Sequence, residues 1–182
     1  VTDSESRKIL IVSNPYQSDK PFEQRVYLLD KDQKAPKGEV AVTIGDVDFT
    51  SGYYACALVF SDGEARSKVE EALSAKGDLP KEIDYYEQKV DNKDYVEWVE
   101  ENALNTLKNI AAVKTLSENA KFELDAEAKS LSEEESEYLW SGYYNYQALL
   151  EPNGVSEQPF KHYMLDSYLM DEYFEYLYGK GG

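Results

Sequence analysis

The chain has 182 residues, 36 of them acidic and 19 basic, for a net charge of −17. A field of that sign repels nucleic acid and anionic membranes, so it counts against direct binding to either and favours a basic partner. The single cysteine, Cys56, rules out an intrachain disulfide, and sixteen tyrosines argue against a largely disordered chain.

The start, Val1 to Ser6, is polar and has no signal-peptide pattern. No apolar stretch approaches the ~20 residues that span a bilayer. The expectation is a soluble cytoplasmic protein, in a host cytoplasm if the source is viral. Lys8 to Val12 is a short β-branched run that stops at the turn Asn14-Pro15. Arg25 to Leu29 follows, then a charged turn from Asp30 to Lys37. Glu39 to Ile44 alternates polar and apolar, as a half-buried strand does. Tyr53 to Phe60 is almost continuously apolar and is expected to be a central strand, with Cys56 as a small buried hydrophobe.

The period then changes. Ser61 or Asp62 is expected to cap a helix with a buried stripe of Ala65, Val69, Ala72 and Leu73, closed by Gly77 and Pro80. From Lys81 the sequence is expected to be helical throughout. Val96, Val99, Ala103, Leu107 and Ile110 step by three and four and form one helix face, widened by Trp98, Leu104 and Ala111. That pattern extends weakly toward Leu124. Ser132 to Glu135 reads as a capping box opening a helix to Leu150, with Tyr138, Leu139, Tyr143, Tyr146 and Leu149 along it. Pro152-Asn153-Gly154 ends that helix, and a last one runs from about Phe160 to Tyr178 before a glycine tail. Ser-Gly-Tyr-Tyr occurs at 51–54 and at 141–144. The two copies have unlike neighbours, so they are a coincidence rather than a repeat.

The predicted fold class is α+β. Residues 1–80 form a β-rich unit, an antiparallel sheet of about four strands with one helix. Residues 81–182 form an acidic helical unit of three to four helices, packed on the first as one compact protein.

No motif for catalysis or metal binding stands out. His162 is the only histidine, and no Gly-x-Ser-x-Gly elbow exists to serve it. Zinc sites need more Cys and His than the chain has, and no Gly-rich phosphate loop precedes a helix. Asp46 with Asp48 and Asp30 with Asp32 are close acid pairs, and neither extends to a calcium loop. The chain is therefore expected to be neither an enzyme nor a holder of a metal or other cofactor.

Charge is segregated: residues 1–81 carry net −3, residues 82–137 net −10 and residues 138–182 net −4. Candidate partner-binding acids are Glu97 and Glu101 on the polar side of one helix, and Glu123, Asp125, Glu127, Glu133, Glu134 and Glu137 in the next stretch. From Glu118 to Glu137 only Lys121 and Lys129 stand among the acids. Like charges one helical turn apart cost about 0.2–0.5 kcal/mol per pair, so crowding them is mild evidence of use. The last helix has two adjoining apolar stripes, one of Leu165, Leu169, Tyr173 and Tyr176, the other of Met170, Phe174, Leu177 and Tyr178. Tyr168, Tyr173 and Tyr176, interleaved with Asp171, Glu172 and Glu175, suit an Arg- and Lys-rich partner through ion pairs and cation–π contacts.

The leading expectation is a non-catalytic, acidic protein-binding module. It would be an inhibitor or nucleic-acid mimic that occupies the basic surface of a partner, such as a nucleic-acid-binding protein. In composition alone the chain resembles phage-encoded anti-defence proteins and toxin immunity proteins, which are small and acidic with Tyr-rich helices. The alternative is an oligomeric structural or assembly subunit, or a chaperone, of a larger particle such as a virus. A third reading, a carboxylate-only glycosidase, would need two acids facing each other across a cleft.

Overall fold

Helices dominate the computed structural model, which describes residues 9–13, 24–28, 40–77, 80–142 and 144–179. Its strands are β1 (Ile9–Ser13), β2 (Gln24–Leu28), β3 (Val40–Ile44), β4 (Val47–Thr50), β5 (Lys89–Val90) and β6 (Lys93–Asp94). Its helices are α1 (Ser51–Ser74), α2 (Tyr95–Ala120), α3 (Ala126–Ser141), α4 (Tyr146–Leu150) and α5 (Glu157–Tyr178). The class is α+β, as predicted. The four-stranded sheet is not present among the described residues. Each strand pairs antiparallel with its neighbour in sequence alone, as β1–β2, β3–β4 and β5–β6.

The main departure is Tyr53 to Phe60, which lies in α1 and not in a strand. Thr50 caps this helix by accepting a hydrogen bond from the Tyr53 amide at 3.3 Å. Tyr53, Ala55, Cys56, Ala57, Leu58 and Val59 are all buried, because α2 and α5 both pack on α1. A helix covered on several sides has no polar face, so its apolar run looks like that of a central strand. Composition held the better clue. The run contains two alanines, and Val59 is its only β-branched residue.

Ser61 and Asp62, expected as the cap, are instead buried in the middle of α1. There they tie α1 to α2. Asp62 accepts from the Tyr95 hydroxyl at 2.9 Å and from Arg66 Nε at 2.8 Å, and Asn102 donates to Ser61 Oγ at 3.2 Å. The β3–β4 hairpin seats against α1. Its two-residue turn has Gly45 at φ +60° in the first central position, which favours glycine.

Residues 81–94 are not helical throughout. One 3₁₀ turn, Tyr85–Glu87, leads into β5 and β6. Asp91 (φ 51°) and Asn92 (φ 67°) join them, both left-handed as a type I′ turn requires.

α2 follows the predicted face: Val99, Ala103, Leu107, Ile110 and Ala111 are buried, while Val96 and Leu104 are partly covered. It ends at Lys121, which is left-handed at φ 54°, and the Phe122 amide reaches back to the Ser117 carbonyl at 2.8 Å. This is a Schellman closure without its usual glycine.

The capping box at Ser132 is displaced. α3 begins six residues earlier, where Asp125 accepts from the Ala128 amide at 2.8 Å. Ser132 is a buried mid-helix residue whose carbonyl accepts from Ser136 Oγ at 2.5 Å. Ala128, Ser132, Ser136 and Trp140 are the buried side of α3, and three of the four are small enough to let α5 approach closely. The expected continuation to Leu150 breaks at Gly142, where a Cβ would lie 2.2 Å from the Tyr138 carbonyl oxygen. Thus one Ser-Gly-Tyr-Tyr string starts a helix and the other stands where a helix stops.

α1 is antiparallel to α5, since Tyr53 meets Asp166 and Phe60 meets Phe160. α2 and α5 run parallel, since Lys114 meets Asp166 while Leu116 meets Tyr173. α3 lies antiparallel along α5 through Glu135–Tyr168 and Trp140–Phe160. The hydrophobic cluster is shared by α1, α2 and α5 and reaches Phe49, Val90 and Leu150. The Asn14-Pro15 turn, the Asp30–Lys37 turn with Asp30 and Asp32, Tyr143 and the Gly181-Gly182 tail lie outside the described residues.

Candidate partner-binding surface

Acids crowd the entry and the outer side of α3. Glu123 is exposed in the α2–α3 connection, Asp125 caps α3, and Glu127 lies in its first turn. Carboxylates at this end are favoured by the helix dipole. Glu133, Glu134 and Glu137 are exposed farther along. Their local neutralisation is slight: Glu134 accepts from Ser130 at 3.4 Å, and Glu137 is 3.7 Å from Lys161, which sits closer, at 3.0 Å, to Glu157. Glu97 and Glu101 do not join this group. They are exposed near the start of α2, about 30 Å from its end at 1.5 Å per residue, and Glu101 is ion-paired with Lys93.

α5 brings its candidate residues into two settings. Tyr168 donates to Glu135 at 2.6 Å; that hydrogen bond holds the phenol in its neutral form and pushes its pKa up to about 12. Glu172 and Glu175 are exposed and share a helix face with Lys161 and Tyr168, the side that meets α3. Tyr173 is buried. Its ring meets Phe122 edge-on, and its hydroxyl donates to the Leu116 carbonyl at 3.3 Å. It is thus part of the packing that holds α5 on α2. Tyr176 is exposed, with its ring 5.0 Å from that of Phe122.

Between the last turns of α2 and α5 lies a groove of about 400 Å³. Val113 and Leu116 form one wall, and Met170, Phe174 and Leu177 the other, with Asp171 at the rim. Leu116, Phe174 and Leu177 are 52%, 62% and 44% exposed. The second stripe of α5 foreshadows one wall. The α2 wall was missed because Val113 and Leu116 stand off that helix's main stripe, and their apolar i, i+3 spacing was the available signal.

A second, more polar cleft of about 530 Å³ opens where the first turns of α1 and α5 meet β4. On its wall Asp166 accepts from the Tyr53 hydroxyl at 2.8 Å and from Lys114 Nζ at 3.0 and 2.9 Å. Burial, then the Asp166 charge, push the Tyr53 hydroxyl well above its ordinary pKa. His162 also lines this cleft, exposed and 2.9 Å from Gln158 Nε2. Cys56 is fully buried and donates to the Gly52 carbonyl, and burial raises its thiol pKa. Asp48 accepts across the hairpin from Thr43 at 2.7 Å. Among the described residues no helix is long and apolar enough to cross a membrane.

No protein-family model, curated protein or solved structure matches this chain.

Proposed function

We propose that this chain is a non-catalytic protein-binding module whose acidic helical side occupies a basic surface of another protein. The observation that carries the reading is the run of exposed acids on α3 and its entry, Glu123, Asp125, Glu127, Glu133, Glu134 and Glu137, with few cations among them. Carboxylates displayed along a rigid helix offer a partner fixed negative charge, and the chain's overall field speeds encounter. A nucleic-acid-binding protein is the partner type that such a surface suits, because its basic groove already accommodates a row of anions.

The test is retention of basic proteins by the immobilised chain at about 50 and 500 mM salt, alongside a Glu127→Gln/Glu133→Gln/Glu134→Gln/Glu137→Gln variant. The expected result is salt-sensitive capture that the variant loses. Capture that is equal for the variant, or unmoved by salt, overturns the reading. The exposed apolar end of α5, with Phe174, Leu177 and Tyr178, favours a second reading, a structural subunit that assembles through apolar contact. Sedimentation across a range of concentrations decides it, since a monomer throughout would remove it.

A further inference from the structure

We infer that the groove between the last turns of α2 and α5 seats one amphipathic, basic helix of the partner. The inference rests on the basic-partner reading above and names the feature of the partner that the groove would hold. Leu116, Phe174 and Leu177 are large apolar side chains left about half in water, although each helix buries a full face elsewhere. The walls span Asn109 to Leu116 and Met170 to Leu177. At 1.5 Å per residue each wall measures about 10 Å, the length of two turns, which matches an incoming helix with anchors at i, i+3 or i+4, and i+7.

Charge selects the sign of the incoming helix. Asp171 stands on the groove's rim and is the one charged residue of its lining; Glu172 and Glu175 lie on the α3 side of the same helix, and Asp166 is paired with Lys114. Because α2 and α5 run parallel, both end beside the groove, and each brings the negative end of its dipole there. Lys114, between the wall residues Val113 and Leu116, is turned away to Asp166 at 2.9 Å, and Lys108 is turned to Asn105 at 3.2 Å. A second copy of this chain would bring another −17 to the same rim, which makes it the poorer occupant at low salt.

The probe is a fluorescein-labelled Leu/Lys peptide of about 18 residues with leucines in one helical stripe, compared by anisotropy with a shuffled peptide of the same composition and with a Leu/Glu stripe. The striped Leu/Lys peptide should bind at least about tenfold tighter than either control, and Phe174→Ser/Leu177→Ser should remove that advantage. Both replaced side chains are exposed, and far-UV circular dichroism confirms that the variant is folded. Equal binding of striped and shuffled peptides, or an unchanged Kd for the variant, overturns the groove as a site. So does equal binding of the Leu/Glu stripe, or sedimentation showing dimers that the double variant abolishes. The α3 glutamine variant is measured beside it. If that variant loses salt-sensitive capture while the groove variant keeps it, the basic-partner reading stands and the groove inference fails.

Discussion

Removing the Asp166 carboxylate should cost far more than a surface charge would. Its side chain is 11% exposed and accepts from Tyr53 and Lys114. In Asp166→Ala the Tyr53 hydroxyl, on a residue 6% exposed, loses its acceptor; an orphaned buried donor costs about 1–3 kcal/mol. Lys114 is one-third exposed and can turn to water, so its lost ion pair adds about 0–1 kcal/mol. The loss should therefore be about 1–4 kcal/mol, or about 0.5–2 M in urea midpoint at a slope near 2 kcal/mol/M. Tyr53→Phe leaves Asp166 its lysine and should cost about 1–2 kcal/mol. In the double variant no hydroxyl is orphaned, so its loss should fall short of the sum by about 1 kcal/mol. Urea unfolding followed by circular dichroism measures all three. An unchanged midpoint for Asp166→Ala, or strict additivity, would refute the reasoning.

Two glycines in α1 should respond oppositely to alanine. Gly63 faces open space and should gain about 0.5–1 kcal/mol as Gly63→Ala, whereas at Gly52 a Cβ would lie 3.0 Å from Pro159 Cγ, so Gly52→Ala should lower the unfolding midpoint. Lys121→Gly should raise stability by about 1 kcal/mol, because glycine adopts the left-handed closure of α2 without a Cβ penalty; an unchanged melting temperature would count against that geometry. Tyr85 and Tyr168 are both pushed up to about 12, Tyr85 by burial and then by Glu70, Tyr168 by Glu135. A raised phenol pKa means that the folded state holds the proton more tightly. That stability is present in full below the ordinary value near 10 and is lost as pH rises toward 12. Urea midpoints across this window should fall less steeply for Tyr85→Phe/Tyr168→Phe than for the parent chain.

The helices with one wet face were legible. α2 keeps its stripe because only one side is covered. α1 was not, because burial on several sides erases the period that identifies a helix. The capping box at Ser132 matched the pattern but lost to Asp125, seven residues earlier, which accepts from the Ala128 amide in the first turn. Tertiary packing against α5 then rewards Ser132 and Ser136 for being small rather than for capping. The Asp91-Asn92 turn was readable, and a general expectation of helix after Lys81 obscured it. For the candidate surface, the acids of α3 and the outer stripe of α5 were named from sequence. Which of them share a face was not, since Glu97 and Glu101 sit near the far end of α2 and Tyr173 turns inward. That grouping depends on how helices far apart in sequence pack together.

The covering of α1 by α5 also fixes an order of events during synthesis. About 80 residues separate Ser74, where α1 ends, from Glu157, where α5 begins. At roughly 5–20 residues per second, the apolar side of α1 that meets Tyr163 and Phe160 waits about 4–16 s for its cover. During that interval the nascent chain displays an aromatic and aliphatic strip that is hidden in the finished protein. A translational pause between α4 and α5 would lengthen the exposure, and the aggregation risk of this fold should therefore depend on how quickly its last helix is made.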